Sequence, residues 1–154
     1  MVVALHRIVA QKRAAIDVLL TIRTDGDLLD ARQILKSLAE KSELNRIIEP
    51  KTDADTEAKL KVQTYLNTLE LVCVSIKRHV IDEDICVDLI RDTITGTWLL
   101  VEQMIKKIRD KQGNQSYYTE LQFVATRWLA NEKCSKDPKV ISAIKELWPF
   151  RRAG

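Results

Sequence analysis

Turn formers and paired cysteines are what this chain is short of. Its 154 residues include only 4 Gly, 3 Pro and 3 Cys. Cys73, Cys86 and Cys134 are odd in number, show no C-x-x-C spacing and have no nearby histidine, which argues against a disulfide scaffold or zinc site and for a reducing compartment. The 2 histidines also lack the company that metal bundles need, because the residues three before His6 and His79 are Val3 and Ile76 rather than glutamates. The arginine that one class of helical RNase places just ahead of its histidine is missing too. Val72, Cys73 and Val74 stand where it would be needed before His79, and His6 lies too near the start. Glycine loops that cradle phosphate and G-x-S-x-G elbows are absent. The sequence therefore assigns no catalytic residue, metal ligand or cofactor.

Long apolar runs are missing as well. The longest uncharged stretch, Thr93 to Val101, has nine residues, about half of what a membrane-spanning helix requires. Met1 to Leu5 is interrupted by His6 and Arg7, then by Lys12 and Arg13, which is not the pattern of a signal peptide. The expectation is a cytoplasmic protein with no membrane span.

What is present reads as one helical domain over 1–154. The composition is 45% apolar and 31% charged, near globular averages. A chain of this size buries roughly 68–70% of its unfolded surface, enough for a single core. Between the few glycines and prolines, apolar residues recur at helical spacing, predicting an all-α single bundle of six to seven helices. The first, over 2–23, is expected to turn Leu5, Val9, Ile16, Leu19 and Leu20 inward. A second, capped by Asp25 or Asp27, runs to about Glu40. Ser42 is read as the cap of a short turn of helix, Glu43 to Ile48, and 49–55 as a flexible loop.

A long central helix follows over about 56–80, with Val62, Leu66, Leu69, Cys73, Ile76 and Val80 in one stripe. Leu71 and Val74 on its other side suggest neighbours all round. Asp82 opens a helix through Arg91, a break is expected at Gly96, and a further helix runs to about Lys111, stopped by Gly113. Another covers 116–130. The last, opened by Asp137-Pro138, carries Val140, Ile141, Ile144 and Leu147.

Several short motifs then fall in a familiar order. They are Arg13-Ala14-Ala15-Ile16-Asp17, Tyr65-Leu66-Asn67-Thr68-Leu69-Glu70, Ile81-Asp82-Glu83-Asp84, Thr97-Trp98, Ile108-Arg109 and Ala125-Thr126-Arg127-Trp128. In this respect the chain resembles the domain of unknown function 4760 family, found in bacteria and phages. The resemblance implies a helical domain of about this length, preceded in many members by one or two transmembrane helices. This chain is expected to lack that part. Where the family pattern has glycine before the Ile-Asp pair, this chain has Arg78-His79. The family brings no activity, although its phage occurrence admits a host-defence or anti-defence role.

Three groups of residues are candidates for function. Asn67 and Glu70 share a helix face, with Arg109 and then Arg127 as expected charge partners, giving a buried polar cluster or ligand site. Lys106, Lys107 and Lys111 form a candidate anion-binding group in the basic C-terminal third, whose net charge is +5 against +1 and −3 for the first two thirds. Trp148, Phe150, Arg151 and Arg152, in the tail 149–154, combine residue types enriched at interface hot spots.

The reading that follows is a non-enzymatic interaction or regulatory domain, binding a protein partner or a second copy of itself. A nucleic-acid module using the basic third is the alternative, and a ligand or enzyme site around Asn67, Glu70 and Arg109 comes after it. Cys73 and Cys86 fall on core stripes and read as inert thiols.

Overall fold

Each of the longer helices after the first begins where a short polar side chain, or an unexpected substitute for one, takes up the first free amides. In the computed structural model, which describes residues 2–131, these helices are α1 Val2–Thr24, α2 Gly26–Glu40, α3 Asn45–Ile48, α4 Asp53–Lys77, α5 Glu83–Gln112 and α6 Thr119–Asn131. The fold is all-α, with no strand among the described residues. The expected helix from Asp137, the tail 149–154 and Cys134 lie outside them.

Asp25 accepts from the amides of Asp27 and Leu28 at the start of α2, and Asp82 from Ile85 at the start of α5. At α4, Thr52 and Asp55 cap each other's backbone reciprocally. That cap starts the helix at Asp53, so the second half of the predicted loop is helical.

The ends follow an equally local logic. At the end of α4, His79 donates its amide to the Ile76 carbonyl and Val80 to that of Ser75. This six-to-one, five-to-two pattern is a Schellman ending. It requires a left-handed residue, and His79 supplies it at φ 53°. Val80, placed in the core stripe by its spacing, is consequently past the helix end and exposed. The same arrangement closes α2, with Ser42 at φ 58°. Ser42 is thus the stop of α2 and not the cap of α3, a role that helical spacing alone could not distinguish. Gly113 stops α5 at φ 63°, as expected.

α4 is the central element. It packs against α2, α3 and α6, and the Tyr65 hydroxyl meets Thr97 Oγ1 at 3.0 Å to tie it to α5. Val62, Leu66, Leu69, Cys73 and Ile76 are buried, joined by Tyr65 and Val72. The break expected at Gly96 does not occur. Cys86, Ile90, Ile94 and Trp98 step by four straight through it, and Val101 and Ile105 continue the buried line. A single helical glycine costs about 1 kcal/mol, too little to interrupt a core stripe that is continuous on both sides.

α1 differs most from its sequence reading. It packs against α5 and α2 through Ala15, Leu19 and Ile22, while Leu5, Val9, Ile16 and Leu20 are 64%, 57%, 45% and 55% exposed. The helix carries two apolar stripes, and the one containing the small Ala15, which permits close approach, is the one buried.

Candidate functional site

The Glu70 carboxylate faces the start of a helix rather than an arginine. Half-buried on α4, it accepts hydrogen bonds from the backbone amides of Glu120 at 3.1 Å and Leu121 at 2.7 Å. These are the second and third residues of α6, among the amides that a helix cannot satisfy internally. α6 is therefore capped by a side chain from another helix, where the partial positive charge of its N-terminus favours a carboxylate.

Arg109, the first expected partner, serves the same junction from the other side. Its guanidinium donates to the Tyr117 carbonyl at 2.7 and 3.0 Å and to Gln122 Oε1 at 2.8 Å. Arg127 lies near the far end of α6 and pairs with Glu83, whose Oε1 also accepts from the Trp128 indole at 2.9 Å. Arg91 donates to the Trp128 carbonyl at 2.9 Å. Asn67 is exposed. The four predicted residues thus do not converge; three of them clamp α6 at its two ends. Nothing in the sequence signals that Glu70 would find amides 50 residues downstream.

A second polar centre was not expected at all. Asp55 is buried, accepts from Arg46 Nε at 2.7 Å and from the Lys51 and Thr52 amides at 3.2 Å, and so fixes α3 to the start of α4. The Arg46 hydrogen bond foremost, helped by the Lys51 amide, holds its carboxyl below the usual range. The Thr52-x-x-Asp55 spacing was the available signal.

Of the predicted anion-binding lysines, the structure brings two together. Lys107 donates to Asn45 Oδ1 at 3.1 Å and Lys111 to Glu49 Oε1 at 2.7 Å. Both line an open cavity of about 550 Å³, together with Arg46, Lys51, Ile48 and Glu49. Lys106 is exposed and does not line it. An adjoining cleft of about 240 Å³ shares Ile48 and Lys111 with this cavity, and its floor includes Val62, Leu66, Met104 and Ile108. Tyr118, at φ 55°, closes one side. Burial raises the pKa of its phenol, and the charge of Glu70 adds to the effect.

α1 carries a row of exposed aliphatic side chains that no described element covers. At 100° per residue Leu5, Val9, Ile16 and Leu20 fall within an arc of about 60°, with Lys12 and Arg13 on either edge. Up to residue 16 the helix has Arg7, Lys12 and Arg13 and no acidic residue. Cys73 and Cys86 are buried free thiols, and burial pushes both pKa values up, that of Cys86 to about 11. Both therefore stay protonated near neutrality. Trp148, Phe150, Arg151 and Arg152 lie outside the described residues.

Among the described residues no helix is long and apolar enough to cross a membrane. In comparisons with known proteins, a family model described as "Domain of unknown function (DUF4760)" matches residues 1–128. No curated protein and no solved structure matches the chain.

Proposed function

Because the chain belongs to the DUF4760 family, whose description assigns no activity, its role has to be read from its own surfaces, and we propose that it is a non-enzymatic interaction domain whose docking element is α1. The observation that carries this reading is the exposed stripe Leu5, Val9, Ile16 and Leu20. Four aliphatic side chains on one face are more than the scattered exposure that any surface tolerates, and contiguous apolar patches with a polar rim mark contact sites.

The rim selects the partner. With Lys12 and Arg13 at its edges and no acid before Asp17, the stripe suits a protein segment whose apolar ridge is bordered by acidic residues. A second copy suits it less well, because two antiparallel α1 helices would bring Lys12 against Lys12 and Arg13 against Arg13, and like charges across an interface oppose it. A cytoplasmic setting fits the reduced cysteines.

The test is site-specific photo-crosslinking in native host extract, with a benzophenone side chain at Leu5 or Leu20 and a control at the exposed Lys36 on α2. The expected result is an adduct to an acidic protein from the α1 positions alone, abolished by Val9→Glu combined with Ile16→Glu. Those exchanges touch exposed positions and leave the circular dichroism unchanged. Equal labelling from Lys36, no adduct, or an adduct only to another copy of the chain would each overturn the reading.

A further inference from the structure

The cavity beside α3 and the neighbouring cleft differ in chemistry yet share Ile48 and Lys111 in their walls, and this combination lies on elements other than the α1 stripe. Three lysines, Lys51, Lys107 and Lys111, line the larger cavity against one lining carboxylate, Glu49. Arg46 also lines it but is engaged by Asp55 and Glu43. Among the described residues Lys107 donates to the neutral Asn45 amide and forms no ion pair. The cleft is lined by Lys111 together with the apolar side chains of Val62, Leu66, Met104 and Ile108. Concave sites with an apolar bed and a few convergent polar groups are the usual form of small-ligand sites.

We propose that this pair of cavities binds an amphiphilic anion, with a phosphate or carboxylate head between Lys107 and Lys111 and an apolar body in the cleft over Met104 and Ile108. The geometry already contains a stand-in for the head. The Glu49 carboxylate lies 2.7 Å from Lys111 Nζ, and Lys111 holds its pKa below the usual carboxylate value, as a bound anion requires. Glu49 is the residue just after α3 and is 63% exposed, so it can leave Lys111 without disturbing the core. Binding is then an exchange of one anion for another at Lys111, coupled to burial of apolar surface in the cleft. A head alone would merely compete with Glu49. An apolar body alone would leave Lys111 with Glu49 and gain only the cleft.

The two halves of the proposal predict opposite effects from the two members of one ion pair. Calorimetric titration with octyl phosphate, octanoate, inorganic phosphate and octanol separates head from body. Octyl phosphate should bind at least about tenfold more tightly than inorganic phosphate or octanol. Lys111→Gln should weaken it by about tenfold, as expected for loss of one charge-assisted contact, and Glu49→Gln should tighten it. Both side chains are more than half exposed, so both variants keep the fold, which circular dichroism verifies. Amide shifts on titration should cluster at Ile48, Gln63, Lys111 and Tyr117. Octanoate binding at the same amides supports the site with a singly charged head, and octyl phosphate alone binding there supports a phosphate head.

Octyl phosphate binding no tighter than inorganic phosphate would overturn the proposal. So would equal affinity in wild type, Lys111→Gln and Glu49→Gln, or shifts confined to the α1 stripe, the mark of general surfactant adsorption.

Discussion

Glu70 illustrates what a single side chain does here. It supplies the acceptor for two amides that α6 cannot satisfy from its own sequence. Glu70→Ala should therefore destabilise the protein by about 1–2 kcal/mol, the upper range for loss of a helix cap, measured by urea unfolding. Glu70→Gln, which retains one carbonyl acceptor, should lose less. Hydrogen exchange at Glu120 and Leu121 should quicken in both variants before it does elsewhere in α6. Asp55 makes a prediction of a different kind. Its carboxyl has a lower pKa folded than unfolded, so its stabilising effect is complete above the ordinary value of about 4 and disappears as the pH falls through the folded value below it. Melting temperatures of wild type and Asp55→Asn should accordingly differ at pH 7 and converge toward pH 3; a gap independent of pH would contradict this account. The caps at Asp25 and Asp82 were legible in the sequence because their acceptors serve amides two or three residues ahead. Glu70 was legible only as a polar residue in an apolar neighbourhood, since its partners lie on another helix.

At the scale of the element, α5 is the instructive case. Cys86, Ile90, Ile94, Trp98, Val101 and Ile105 make one buried line at helical spacing, and the glycine within it does not break the helix. Gly96 is helical and a Cβ built on it meets nothing within 4 Å. Gly96→Ala should hence stabilise the protein by about 0.5–1 kcal/mol, seen as a higher denaturation midpoint with an unchanged slope. A loss of stability would indicate that the helix needs to bend there. The central helix was readable from its stripe, although its start was misplaced because Thr52 and Asp55 resemble loop residues until their reciprocal bonds are seen. α1 was misread for a more general reason. Periodicity shows that a helix has apolar faces but not which of two will be covered, and only the positions of α2 and α5 decide that.

For the whole molecule, the consequence is an uneven distribution of packing. α4 and α5 carry most of the fully buried side chains, while α1 contributes Ala15, Leu19 and Ile22 and none among residues 3–14. Amide exchange should follow that gradient. The first three turns of α1 should exchange fastest among the helices and the α4–α5 core slowest, approaching the rate set by global unfolding. The Gln11 side chain's bond to the His79 carbonyl and the Asp82 amide's bond to the Gln11 carbonyl set the point along α1 beyond which protection should rise. A stripe that is loosely held by its own protein is well placed to be held by another.

The corners of the fold bear on its tolerance of heat. Glycine is scarce in this chain, and three of its helix junctions are turned by Ser42, His79 and Tyr118 in the left-handed conformation that side chains oppose. Ser42 and His79 are exposed, and the hydrogen bonds that close their helices use backbone atoms alone. Each position holds back roughly 1 kcal/mol that glycine would release. A lineage of this protein moving to a hotter niche thus has thermal tolerance within reach of two substitutions that touch neither the core, nor the lysine-lined cavity, nor the outer face of α1.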